Sequence, residues 1–155
     1  MMHPSSVIFG YLLLVYLAFM IGSRFIENGS VAIYEFLWAC NQALLVGAFS
    51  MIVQDSHLLR ASIVLVSIDQ LLWYVDLVGY IIKKKFIIGV AKYIIWPETT
   101  KIRLMTTFHH VWYIPLVLWL TSPSVSQCGL NIEVYLLCCI MSFALAFIGK
   151  ISTPK

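Results

Sequence analysis

The stretch ASIVLVSIDQLLWYVDLVGYII, from Ala61 to Ile82, decides the architecture. At a rise of ~1.5 Å per residue it is long enough to cross a bilayer core of roughly 30 Å as one helix. It lacks the apolar–polar alternation of a barrel strand. It also carries Asp69, Gln70 and Asp76; the ionisable pair cost at least ~2.5–3.5 kcal/mol each in hydrocarbon, so they usually face a partner or a cavity.

Working outward, four more stretches have the same character: about residues 5–23, 31–53, 104–121 and 132–149. The predicted fold is therefore an all-α, polytopic transmembrane bundle of five spans forming a single domain over residues 1–155. Composition agrees. The 155 residues are 61% hydrophobic and 11% charged, against roughly a quarter charged in ordinary soluble domains. A soluble chain this short cannot hide so much apolar surface. Mean hydropathy is +0.93. Ten scattered basic residues make no nucleic-acid footprint.

The connections Arg24–Ser30, Gln54–Arg60 and Ser122–Asn131 are short, so consecutive helices are expected to be antiparallel neighbours. Placing the N-terminus outside and the C-terminus inside puts Arg24, Lys83, Lys84, Lys85, Lys92, Lys101, Arg103, Lys150 and Lys155 on the inner side and Arg60 alone on the outer. That is the positive-inside bias of a multi-pass cell or organelle membrane protein. The first span lacks a basic leader region, so it is expected to remain as a span. Asn28-Gly29-Ser30 matches a glycosylation sequon but falls on the expected inner side, and reads as a turn.

The one long connection, Lys83 to Arg103, places Lys85, Gly89 and Lys92 on one helical face and Phe86, Ile87, Val90 and Ile94 on the other. An amphipathic interfacial helix is expected there, ended by Trp96-Pro97. Lys83, Lys84, Lys85 and Lys92 are its candidate lipid-headgroup contacts. The segment reads either as a topology determinant or as a lid over an inner-side site.

Polar residues inside the spans are the candidate site. Asp69, Trp73, Asp76 and Tyr80 recur along one helical stripe. The second span offers Glu35, Cys40, Asn41 and Gln42, and the fourth Thr106, Thr107, His109, His110 and Tyr113. Depth counting at ~1.5 Å per residue predicts two layers. An inner layer pairs Asp76 with His109 or His110, joined by Glu35; a deeper one pairs Asp69 with Asn41 or Gln42. A carboxylate beside an imidazole is the smallest proton relay. The plainer reading is that these groups only hold helices together. No metal site or cofactor is expected: the adjacent histidines should point roughly 100° apart on a helix. Cys40, Cys128, Cys138 and Cys139 form no CxxC pair, so a redox or zinc motif is not indicated. Nucleophile-elbow, phosphate-loop and dinucleotide motifs are absent as well. Trp38, Trp73, Trp112 and Trp119 lie within spans, where rings suit packing or a lipid ligand.

Four segments, Phe36-Leu37-Trp38-Ala39-Cys40-Asn41, Gln70-Leu71-Leu72-Trp73-Tyr74-Val75-Asp76, Gly89 to Pro97, and Phe108-His109-His110 with Ile114-Pro115-Leu116, occur in that order. In this arrangement the chain resembles a family of bacterial-type multi-pass integral membrane proteins with no settled activity. The likeness covers about Phe36 to Leu120. It implies architecture, and it marks Asn41, Asp76 and His109 or His110 as the matching polar positions. The chain departs from the family in having Trp96 where relatives often place an acid, and in stopping at Thr153-Pro154-Lys155.

Three functions fit this reading. The first is a membrane protein whose Asp/His/Asn pocket handles a proton-coupled small solute or a lipid headgroup. The second is a membrane-embedded enzyme acting on a lipid, with His109 or His110 as general base oriented by Asp76. The third is an accessory or assembly subunit of a membrane complex. The expected partners are the lipid bilayer, a lipid or small polar ligand, and a second copy or a membrane-complex subunit, since five helices are few for a transporter.

Overall fold

A computed structural model describes residues 2–122 and 132–152. All regular structure among them is helical. Helix α1 spans Ser6–Asn28 and ends at Gly29, whose φ of 57° turns the chain into a single 3₁₀ turn, Gly29–Val31. The sequon thus lies in a turn, and Asn28 donates to Glu35 Oε1 at 2.9 Å. Helix α2, Ala32–Phe36, is followed by α3, Ala39–Val53, and by α4, Ser56–Lys83. Helices α5, Lys101–Thr107, and α6, His109–Thr121, come next, then α7, Ile132–Ser152. The last loop from Pro123, with Cys128 and Gly129, and the C-terminal Thr153-Pro154-Lys155 lie outside the described residues.

Two helical stretches are long and apolar enough to cross a membrane: Ser6–Phe36 and Ser56–Lys83. The others are shorter, because two of the expected spans are broken. The stretch 31–53 breaks at Leu37 and Trp38, where Trp38 is extended at ψ 141°. The Asn41 and Gln42 side-chain amides donate to the Glu35 and Phe36 carbonyls at 2.7 and 2.8 Å. Those carbonyls therefore need no continuing helix to satisfy them. The stretch 104–121 breaks at Phe108. There the Thr106 carbonyl accepts from the Tyr16 hydroxyl and from His109 Nδ1 instead of continuing an α-helical ladder. Helix α4 begins earlier than expected, because Asp55 caps it, accepting from His57 N and Leu58 N at 2.9 and 3.1 Å. Such a cap is worth about 1 kcal/mol.

The connection 84–100 corrects the expected amphipathic helix. It is an irregular loop with one short 3₁₀ segment, Lys92–Ile95. Gly89 sits at φ 102°, which an L side chain rarely adopts. The Asp76 carboxylate accepts from Ile88 N, Gly89 N and Ala91 N at 2.6–3.0 Å. A buried carboxylate thus gathers amides that an interfacial helix would have used internally. Lys83, Lys84, Lys85 and Lys92 are exposed but do not share one helical face.

Helix α1 packs on α3, α3 on α4, and α4 on both α6 and α7. Backbone approaches are close. A Cβ at Gly10 would lie 2.8 Å from Ile52 Cγ1 and 2.9 Å from the Ala48 carbonyl. One end of the bundle holds His3 N→Leu120 O, Gln54→Ser6 and Arg60→Thr121 O. The other holds the Arg24–Glu35–Arg103 cluster.

Polarity is arranged inside out. Ile8, Leu12, Val15, Phe19, Leu71, Val78, Ile81, Leu136, Ile140 and Phe143 are exposed. Ser50, Ser62, Gln70, Asp76, Thr106, His109, His110 and Ser142 are buried. Soluble domains normally keep such polar groups outside and expose only modest apolar patches.

Candidate functional site

Helices α3, α4 and α6 and the 84–100 loop border a partly open cavity of about 240 Å³, lined by Trp38, Cys40, Asp69, Trp73, Val90, Tyr93 and His110. A second void of about 30 Å³ adjoins it, touched by Met20, Cys40, Asn41, His109 and His110 among others.

His110 is held by α4. Gln70 Nε2 donates to the His110 carbonyl, which also accepts from the Tyr74 hydroxyl at 2.6 Å. The other end of the same amide, Gln70 Oε1, lies 2.8 Å from His110 Nδ1. Because the amide nitrogen is already committed to a carbonyl, Oε1 can only accept. His110 Nδ1 therefore carries the proton, and Nε2 keeps its lone pair. Trp73 stacks on the ring with centroids 5.1 Å apart and planes 19° apart.

His109 is fixed the same way by different atoms. Its Nδ1 lies 2.6 Å from the Thr106 carbonyl and 3.4 Å from the Tyr16 hydroxyl. A carbonyl only accepts, so Nδ1 is the protonated nitrogen here too. His109 Nε2 is buried and has no hydrogen-bond partner among the described residues.

The two rings lie with centroids 4.3 Å apart, tilted by 32°. Adjacent places on α6 therefore do not keep the two rings apart. Donor atoms of Cys40, His109 and His110 all lie within 4.8 Å of one another.

The expected Asp76–histidine pair is corrected. Asp76 is fully buried, but every hydrogen bond it makes goes to loop amides, so it orients neither imidazole. Its role is indirect: it seats the loop whose Val90 and Tyr93 wall the cavity. Tyr93 Oη accepts from Trp73 Nε1 at 3.3 Å and donates to Thr107 Oγ1 at 3.5 Å. Burial raises its pKa, so it remains a neutral donor.

The expected deeper pair is corrected as well. Asn41 and Gln42 are spent on backbone carbonyls, and Asp69 lines the cavity with no hydrogen bond among the described residues. Glu35 lines the same 30 Å³ void as the two histidines, but its carboxylate is taken up by other groups. It takes Arg103 at 3.0 Å and Arg24 at 3.4 Å and joins α1, α2 and α5.

Of the expected residues, Asp69 and His110 thus line the larger cavity, His109 and His110 meet Cys40, Asn41 and Glu35 around the smaller void, and Asp76 serves the loop instead. Gln70, Tyr74, Tyr16 and Tyr93 were not among the expected site residues. Gln70 and Tyr74 carry a faint signal, four residues apart on the face of α4 that meets the histidines. Tyr16 carries none, and Tyr93 only its place within the Gly89 to Pro97 segment.

The chain matches no protein-family model, no curated protein and no solved structure.

Proposed function

We propose that this chain is a five-span membrane protein, with its N-terminus outside and its C-terminus inside, that holds the polar end of a small ligand between α3, α4 and α6. A lipid headgroup is the favoured occupant, and a small proton-coupled solute is the other member of the class. The carrying observation is the cavity itself. Three aromatic side chains, Trp38, Trp73 and Tyr93, surround Asp69 and a histidine of fixed tautomer. At about 240 Å³ it is smaller than the roughly 300–1,000 Å³ that drug-sized ligands occupy, and suits a headgroup. Asp69 supplies an acceptor, His110 Nε2 a lone pair and the rings an apolar collar. The exposed apolar faces of α1, α4 and α7 support a lipid surround. Arg24, Lys83 and Arg103 fall toward one end of the bundle and Arg60 toward the other, in keeping with the positive-inside assignment.

Native mass spectrometry of the detergent-purified chain tests this. The wild type is expected to retain a lipid mass that Trp73→Ala and Asp69→Asn release while remaining folded. A chain that carries no adduct, or whose variants keep it equally, would refute the pocket.

A further inference from the structure

We propose that Cys40, His109 and His110 form a binding site for a copper(I) ion. The site goes beyond the ligand pocket, with which it shares a wall, and does not require the organic ligand.

Three independent features converge. The first is proximity: one donor atom from each side chain lies within 4.8 Å of the other two, close enough for a central ion to reach all three after small side-chain rotations. The second is an unanswered group. His109 Nε2 is a buried nitrogen with no partner among the described residues, and the residue is only 5% exposed. A buried polar atom left unsatisfied is unfavourable, and a bound ion would satisfy it. The third is preparation of the ligands. Metal-binding imidazoles characteristically donate their other N–H to a carbonyl or carboxylate, which fixes the tautomer and turns the lone pair to the ion. Both histidines already do so, His109 to the Thr106 carbonyl and His110 to Gln70 Oε1.

The donor set selects the metal. A thiolate and two imidazoles suit copper or zinc. Met20 lines the same 30 Å³ void as Cys40 and the two histidines, together with Arg24 and Arg103, whose charge is partly met by Glu35, and a thioether is a soft donor that favours copper(I). Cys40 Sγ lies 3.8 Å from Asn41 Oδ1, its present acceptor. On binding, the thiol proton leaves as the sulfur bonds the ion, so uptake releases a proton and weakens as pH falls. Cys40 and His110 also face the 240 Å³ cavity, which gives the ion an open side.

The test uses the full chain in detergent, loaded anaerobically with copper(I) in competition with a chromophoric chelator. The expected result is about one ion per chain, as for a single structured site, with sulfur and nitrogen scatterers in the copper X-ray absorption spectrum. Cys40→Ser and His109→Gln should weaken binding by more than about 100-fold, since even a ligand's hydrogen-bond partner is worth ~10–100-fold. Gln70→Leu should fall within that lesser range, and Cys138→Ser should bind as the wild type. Absence of stoichiometric copper, a spectrum without sulfur, or equal affinity in Cys40→Ser and the wild type would each overturn the site. Uptake of zinc but not copper would overturn the choice of metal. The absorption spectrum needs only the wild type, so it decides the matter even if a variant misfolds. Copper uptake by a chain that retains no lipid would sustain this site and refute the ligand pocket, so the two readings fail separately.

Discussion

Asp76 illustrates how a buried carboxylate can be satisfied without a side-chain partner. It is fully buried and meets the three amides of Ile88, Gly89 and Ala91. Asp76→Asn keeps the shape but replaces one acceptor oxygen with an NH₂ group that faces amide donors. Hydrogen bonds to charged groups contribute about 1.5–3 kcal/mol, so the variant should lose stability of that order. The expected readouts are a lower thermal midpoint in detergent and faster proteolysis between Lys84 and Lys92. Unchanged midpoint and cleavage would mean that something other than this carboxylate seats the loop. The sequence marked Asp76 as costly in hydrocarbon, and it is indeed buried. It did not reveal the partner, because an isolated acid and an adjacent-looking histidine suggest each other, while backbone amides in a loop leave no residue-type signature.

At the scale of helices, the contact between α3 and α6 hinges on a missing side chain. The Tyr113 hydroxyl donates to the Ala43 carbonyl at 2.7 Å, lies 2.6 Å from Ser62 Oγ, and occupies the space a Cβ on Gly47 would need. Gly47→Ala should therefore destabilise by about 1–3 kcal/mol through overpacking. Tyr113→Phe removes the hydroxyl and should recover part of that loss in the double variant, a non-additivity expected of touching residues. Unfolding curves for the two single variants and the double variant check this, and strict additivity would show that the two positions do not share the space. The apolar stretches were readable because hydropathy depends only on residue type. Their interruptions were not. Asn41 and Gln42 break the second stretch by choosing backbone carbonyls, and that choice depends on Trp38 turning away. Thr106 breaks the fourth because Tyr16, from a distant part of the chain, reaches its carbonyl. The interfacial helix failed for the same reason, since its periodicity was real but Asp76 and Gly89 offered the segment a better arrangement.

Across the whole molecule, the bundle's two ends differ in charge. Arg24, Glu35 and Arg103 meet at one end, while Arg60 reaches the Thr121 carbonyl at the other. The proposed five crossings require the termini to lie in different compartments. Reporters fused at the N- and C-termini should give opposite signals, and a shared compartment would refute the five-span arrangement. Helix α4 has a particular place in this assembly. Along its length it meets Tyr113 through Ser62, Ser142 through the Leu65 carbonyl, His110 through Gln70 and Tyr74, and the loop through Asp76. These attachments engage three separate neighbours at successive levels, like the teeth of a spline. Rotating α4 by a single residue, roughly 100°, would disengage all of them together. Any internal motion of the bundle must then come from the parts around this shaft, with α4 itself as the stator.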